Sequence, residues 1–419
     1  MRSETEVLVI GAGVVGVCAA YYLAQAGRQV VVVEKGEVCS GSSYGNAGLI
    51  VPSHCVPLAE PGVMRKGLRW MLDPSSPFCI RPRLDRQLIS WLWRFRGACN
   101  ADHVRRSMPL LRDLQLESLR LFGELALRPD MGDFGYRQRG ALYVARTDAG
   151  FESVSAEARL VLDNGLEVEI LDGEQVRELE PGSRLEVTGG AYYPQNAHVQ
   201  PDRFVRSLAQ SAQRRGAVIY AKTEVLGMEV SGERIRAVET TRGRIEADEV
   251  VLAAGAWSPA LARDLRLELP IQAAKGYSVT FDKPKRCPRI PLMLTEAKVA
   301  VTPMGDLLRF AGTLELAGMD LSVNMRRVRA MLAAVPAYLP ELDPQNLSTA
   351  EVWRGLRPCT PDGLPFLGRS AKYANLVVAA GHATVGLSLG PVSGSVVSRL
   401  VCGEDPGFDL RPLSPERYC

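Results

Sequence analysis

The chain is short of the residues that build metal centres. Histidine occurs only four times in 419 residues, at His54, His103, His198 and His382, and none stands at metal-ligand spacing from another. The nine cysteines include no C-x-x-C pair, so neither a zinc nor an iron–sulfur site is expected, and no metal is assigned. Their odd, scattered number also gives no disulfide framework and suits thiols kept reduced, as in the cytoplasm. No apolar run approaches the roughly 20 residues of a membrane-spanning helix. The opening MRSETE leads straight into a strand, without an export-signal pattern. Neither sign of charge dominates: 50 Lys plus Arg against 47 Asp plus Glu leave a net +3, which gives no case for nucleic acid as a partner. A Ser/His/Asp or Cys/His constellation for nucleophilic catalysis is missing too.

What is present is a chain with 46% hydrophobic and 23% charged residues, enough for a large core and two to three domains. Its most informative stretch comes first. Val7 to Ile10 is a short apolar run suited to a strand buried on both faces, and Gly11-Ala12-Gly13-Val14-Val15-Gly16 then opens an Ala-rich helix ending near Gly27. A second strand, Gln29 to Val33, completes a βαβ unit. In such a unit Gly11 permits the tight turn, Gly13 lets a pyrophosphate approach the backbone, and Gly16 allows close helix packing. Glu34 lies 34 − 16 = 18 residues beyond the last glycine, placed to accept hydrogen bonds from ribose hydroxyls. That carboxylate argues against NADP, whose 2′-phosphate it would repel; NAD and FAD remain equally compatible with the unit.

Further on, Cys39 to Gly48 is a small-residue loop able to lay backbone and hydroxyl groups along an extended ligand. A helical pattern from Asp202 leads into AVIYAKTEVLGMEV and a β meander, then into EVVLAAGAWS, a buried strand that ends in small residues. The first insert carries a helical apolar stripe in SMPLLRDLQLESLRLFGELA, whereas KGYSVTF and KVAVTPM alternate as strands.

These pieces resemble the FAD-binding scaffold of the D-amino-acid oxidase and glycine oxidase superfamily, and within it the D-amino-acid dehydrogenases. The resemblance spans nearly the whole chain, through GSSYGNAGL, LDPSSPFCIRPRLD, KGYSVT, RGLRPCTPDGLPFLG and GHATVGLSLGP in family order. It implies an α/β fold: a Rossmann-like FAD-binding domain of glutathione-reductase type, interleaved with an α+β substrate domain containing an antiparallel sheet. FAD-binding segments are expected at 1–55, 195–268 and 352–419, and substrate-domain segments at 56–194 and 269–351.

The resemblance also decides the nucleotide in favour of FAD, held non-covalently because no His or Cys stands at an attachment position. It sets the cofactor against Gly11, Gly13, Val14, Val15, Gly16, Glu34 and Lys35, then Ser42, Ser43, Asn46, Gly48 and Leu49. Val225, Ala254, Gly255 and Trp257 follow, and near the C-terminus Gly381, His382, Gly386, Leu387 and Ser388. A helix beginning near Ser388 is expected to turn its N-terminus toward the flavin.

The arginine of the "G-L-R-P" motif, Arg357, is implied to grip the substrate carboxylate, for which a planar guanidinium is suited. Tyr277 is a candidate to supply a hydroxyl to the carboxylate or amine, and equally a core aromatic of its sheet. His382 is a candidate base, although a lone loop histidine is more commonly a structural hydrogen-bonder. Tyr44 and His54 are candidates for lining the substrate pocket. The implied reaction is hydride transfer from Cα of a small D-amino or D-imino acid to flavin, with electrons passed to quinone or another carrier. The stretch NAGLIVPSHCVPLAEPGV resembles the branch acting on hydroxyproline-type D-imino acids such as cis-4-hydroxy-D-proline. Two alternatives stand beside this reading: a glycine, sarcosine or D-amino-acid oxidase that uses O₂, and a non-catalytic FAD subunit of an electron-transfer complex.

The basic, aromatic stretches Lys66 to Met71 and Ser90 to Arg96 raise a peripheral contact with the cytoplasmic face of an inner membrane. The plainer reading packs Trp91, Leu92 and Phe95 inward, with the arginines in water.

Overall fold

The computed structural model describes residues 2–64, 67, 76–81 and 83–418. The first expected membrane stretch, Lys66 to Met71, falls almost entirely outside them. Two large sheets organise the chain. The first is built on parallel strands in the order Leu376–Ala380, Gly243–Leu252, Glu4–Ile10, Val30–Val33 and Val218–Tyr220. Val7, Leu8, Val9, Val30, Val31 and Val32 are fully enclosed, which explains why these strands read as unbroken apolar runs instead of alternating ones.

One face is covered by the helices Val14–Gln25, Pro201–Arg214 and Gly390–Cys402, the other by the meander Val225–Ser231 and Arg234–Thr240 and the short helix Ser258–Asp264. The helix Ala101–Ala126 comes from the insert expected to belong to the substrate domain. Its apolar stripe, including Met108, Leu111, Leu114, Phe122 and Leu125, nevertheless joins the nucleotide-side core.

The second sheet runs Thr349–Cys359, Gln272–Asp282, Leu307–Leu316, Val299–Met304, Leu292–Leu294, Ala141–Ala145, Gly189–Tyr193 and Glu169–Asp172, with Phe78–Ile80 added on Leu307–Leu316. It is largely antiparallel. Tyr277, Val279 and Phe281 point from one face into a core with Val301, Leu308 and Phe310, closed by the helix Met325–Ala333. The opposite face carries Ala274, Gly276 and Ser278 toward the first sheet. The segment boundary expected at 351/352 cuts through Thr349–Cys359, which pairs along its length with Gln272–Asp282. Arg357 therefore stands on the second sheet, because backbone pairing holds its strand there.

Among the described residues every cysteine is free, no cluster of metal-ligating side chains occurs, and no helix is long and apolar enough to cross a membrane.

Candidate active site

The chain leaves the C-terminal ends of the parallel strands at Gly11, Glu34, Ala253 and Gly381, the crest where open α/β sheets place their ligands. From there a continuous cleft of about 1040 Å³ extends beneath the second sheet, from Glu34 at one end to Arg357 and His54 at the other.

At the crest the turn is fixed by sterics. Gly11 has φ +108°, and a Cβ there would lie 2.6 Å from the Ala253 carbonyl oxygen. A Cβ on Gly16 would lie 1.9 Å from the Gly11 carbonyl oxygen, so the helix Val14–Gln25 presses directly on its own entry turn. Gly13 faces the cleft and brings no capping side chain; the Val14 amide instead donates to Ser43 Oγ at 2.9 Å. Glu34 accepts from the Ala12 and Gly36 amides, each at 2.8 Å, which locks its carboxylate at the rim. Lys35 lies over the Trp257 ring at 3.7 Å, and burial lowers its pKa against the opposing pull of Glu224 and Glu34.

The small-residue loop is shaped from within and clamped from outside. Asn46 donates to the Ser43 carbonyl and accepts from the Gly48 amide. From the second sheet, Ser278 donates to the Gly45 carbonyl at 2.7 Å, and the buried Arg309 guanidinium donates to the Asn46 carbonyl at 3.0 Å. Ser42 Oγ donates to the Leu356 carbonyl, tying the loop to the strand of Arg357. Both sheets thus define the loop, and Arg309, Ser278 and Trp353 belong to its machinery although nothing in their local sequence announces it. Trp353 can lie flat on the loop only because Gly45 has no side chain: a Cβ there would be 2.2 Å from its indole.

At the other end, Arg357 projects over Gly276 of the neighbouring strand. A Cβ on Gly276 would lie 2.0 Å from Arg357 Nη1 and 2.4 Å from Cζ, so the guanidinium rests directly on the Gly276 Cα. Nη1 donates to the Thr313 carbonyl at 2.7 Å. That carbonyl is aimed by a β-bulge: Lys275 pairs with Glu315 but Tyr277 with Gly312, leaving one extra residue, and Thr313 carries φ +68°. Burial pulls the Arg357 pKa down, yet an arginine stays charged, and among the described residues no carboxylate pairs with it. A planar guanidinium held this way, with further N–H donors available in the cleft, is chemically suited to a carboxylate.

The bulge also turns Glu315 inward, where it accepts from the Tyr277 hydroxyl at 2.9 Å. Tyr277 touches the cleft, but its hydroxyl is committed to this buried pair, and burial and Glu315 both raise its pKa. The expected offer of that hydroxyl to a substrate is therefore corrected: strand alternation directs it away. His382 is buried, its Nε2 is 2.9 Å from Ser393 Oγ, and burial lowers its pKa to about 4. Its contact with Ser393 and its weakened basicity favour the plainer expectation, a structural hydrogen-bonder, over a base. His54 is solvent-accessible and lines the cleft; desolvation by the cleft walls, reinforced by Lys298 and opposed by Glu60, lowers its pKa.

The fold and this geometry are those of a known class. The family model described as FAD dependent oxidoreductase (DAO) matches residues 6–400. The chain belongs to the DAO family of FAD-dependent oxidoreductases. It is 34% identical to a D-amino acid dehydrogenase of Agrobacterium fabrum over 420 residues, 99% of each chain, and 33% identical to one of Granulibacter bethesdensis over 423 residues, 99% of each. Among solved structures it is similar to glycine oxidase from Geobacillus kaustophilus, with TM-score 0.81, 25% identity and 100% of both chains covered. L-proline dehydrogenase from P. horikoshii shares the fold at TM-score 0.76 and 21% identity, over 100% of this chain and 98% of that one.

In this DAO-family chain the residues present fit FAD. The open Gly11–Gly16 turn and Ser43 offer donors for a pyrophosphate, Glu34 an acceptor for ribose, and the Gly48, Leu49 and Gly386–Leu387 backbone a wall for a flat ring. Val14, Val15, Lys35, Ser42, Asn46, Val225, Ala254, Gly255 and Trp257 line the same cleft, as do His54 and His382.

Four expected site residues do not line it. Gly16 stands behind the turn it packs. Gly381, with φ +79°, is set against Thr360, where a Cβ would lie 2.6 Å from Cγ2. Ser388 is buried, accepting from the Val51 amide and donating to Gln115, so the last helix starts at Gly390 instead. Tyr44 packs on the nucleotide-side core with its hydroxyl hydrogen-bonded to Glu351.

Proposed function

We propose that the chain oxidises a small D-amino or D-imino acid at Cα, with cis-4-hydroxy-D-proline as the favoured substrate. The observation that carries this reading is Arg357, a cation with no carboxylate partner among the described residues, set in the cleft that fits FAD. Bound FAD supplies a two-electron acceptor for the Cα–H hydride. The chain's own contribution is orientation. Arg357 fixes the substrate carboxylate and with it the direction of the Cα–H bond, while the roof of Gly276, Ala311 and Thr313 limits what fits beside it. As hydride leaves Cα, the nitrogen lone pair closes a C=N bond; a primary amine then yields the 2-oxo acid by hydrolysis, and a ring amine remains a cyclic imine. The relatives named D-amino acid dehydrogenase support the D-configuration.

Quinone or another carrier is the proposed acceptor, with the protein at the cytoplasmic face of a membrane. Support comes from the helix Arg86–Ala98. Trp91 and Phe95 turn inward and stack at 5.0 Å, but Trp93 is 72% exposed, beside exposed Leu84, Ile89, Arg86 and Arg96.

Anaerobic mixing of the holoprotein with a panel of D- and L-substrates tests the central reading. Rapid bleaching of the flavin band by D- but not L-members is expected. Bleaching by L-members alone, or by none, overturns it.

A further inference from the structure

We propose that Lys298 and His54 form a hydroxyl-recognising pole of the substrate chamber, so that the protein selects amino or imino acids carrying a side-chain hydroxyl. The inference rests on Arg357 holding the substrate carboxylate.

Lys298 ends the turn between the strands Leu292–Leu294 and Val299–Met304, with φ +54°. That conformation suits glycine or asparagine and costs another residue roughly 1 kcal/mol or more. Lys298 is exposed and lines the cleft, and among the described residues its ammonium makes no hydrogen bond or ion pair. A strained backbone holding an unpartnered cation toward a cavity is the pattern of a ligand contact.

Its position relative to Arg357 follows from the sheet. The Lys298 carbonyl oxygen would lie 3.0 Å from a Cβ on Gly312, and the next residue, Thr313, receives the Arg357 guanidinium. Arg357 itself starts three strands away, on Thr349–Cys359, but its guanidinium reaches across to the Thr313 carbonyl on Leu307–Leu316, the strand paired with Val299–Met304, so its head lies on the side of the cleft where Lys298 stands. A substrate whose carboxylate sits on Arg357 extends its side chain toward Lys298.

His54 supplies the complement. His54 lines the same cleft as Lys298, and desolvation and the nearby ammonium favour its neutral form, which offers one ring N–H and one acceptor nitrogen. A hydroxyl needs both a donor and an acceptor. Lys298 donates to its oxygen, and the imidazole accepts its proton in a hydrogen bond. An apolar side chain would strip water from the ammonium without replacing it.

The test compares kcat/KM for anaerobic flavin reduction within two matched pairs, cis-4-hydroxy-D-proline against D-proline and D-serine against D-alanine. The native holoprotein is expected to favour the hydroxylated member of each pair. In Lys298→Met and Lys298→Gly that preference falls by about tenfold or more. A structural role would lower both members together and leave the ratio unchanged. Lys298→Gly also relieves the backbone, so its Tm is expected to hold or rise while the preference is lost. No preference in the native protein, or an unchanged ratio in both variants, overturns the inference and leaves the carboxylate reading standing. Failure of every D-substrate to reduce the flavin overturns both.

Discussion

Replacing Gly276 by alanine adds one methyl group, yet its consequence reaches Arg357. The new Cβ would lie 2.0 Å from Nη1, and ordinary contact begins at 3.4 Å, so the guanidinium must retreat by about 3.4 − 2.0 = 1.4 Å. It cannot do so and keep the 2.7 Å bond to the Thr313 carbonyl. Losing a hydrogen bond to a charged group costs about 1.5–3 kcal/mol. Misplacing a substrate-positioning group by about 1 Å costs roughly a hundredfold in rate. Strand propensity works the other way, since alanine in a strand interior is favoured over glycine by about 0.5–1 kcal/mol. Gly276→Ala is therefore expected to fold and retain flavin while kcat/KM for D-substrates falls about a hundredfold, mostly through KM. The measurement is the substrate dependence of anaerobic flavin reduction, beside a thermal melt followed by flavin release. A variant with unchanged KM and unchanged kcat would refute the placement of Arg357 as the carboxylate receptor.

Two further outcomes are expected. Glu34→Gln keeps one acceptor but loses the charge that draws in the Ala12 and Gly36 amides, so FAD should dissociate at least about tenfold more readily, read by titrating stripped protein with FAD. His382 and His198 are buried with pKa values lowered to about 4 by burial. As pH falls below the ordinary histidine value, the unfolded chain takes up these protons first. Stability is therefore complete above about pH 6.5 and is lost progressively toward pH 4, by up to about 3 kcal/mol for each histidine. Denaturant titrations from pH 7 to 4.5 check this, and His198→Gln should flatten the slope by about one proton.

The opening unit was legible because its chemistry is local. Four consecutive buried valines, a glycine turn and an acid at the end of the next strand act on neighbours close in sequence, and the structure places them as the pattern requires. GLRP singles out Arg357 only through the family resemblance, and its role toward the substrate is a proposal. The sequence leaves Tyr277 and His382 between two roles because those roles depend on direction. A one-residue bulge sends the Tyr277 hydroxyl to Glu315, and a helix arriving from Gly390 offers Ser393 to the imidazole. Ser388 was drawn away by Gln115, 273 residues earlier, a partner no local pattern can name.

The sequence by itself therefore determined the nucleotide-binding layer and the acid at its rim, since each is written in contiguous residues with fixed spacing, and its GLRP motif singled out one arginine, Arg357. Only the tertiary structure decided what surrounds that arginine. Gly276, Thr313 and Lys298 come from separate strands and turns, and they reach one cleft because cross-strand register, which depends on the whole sheet, brings them there.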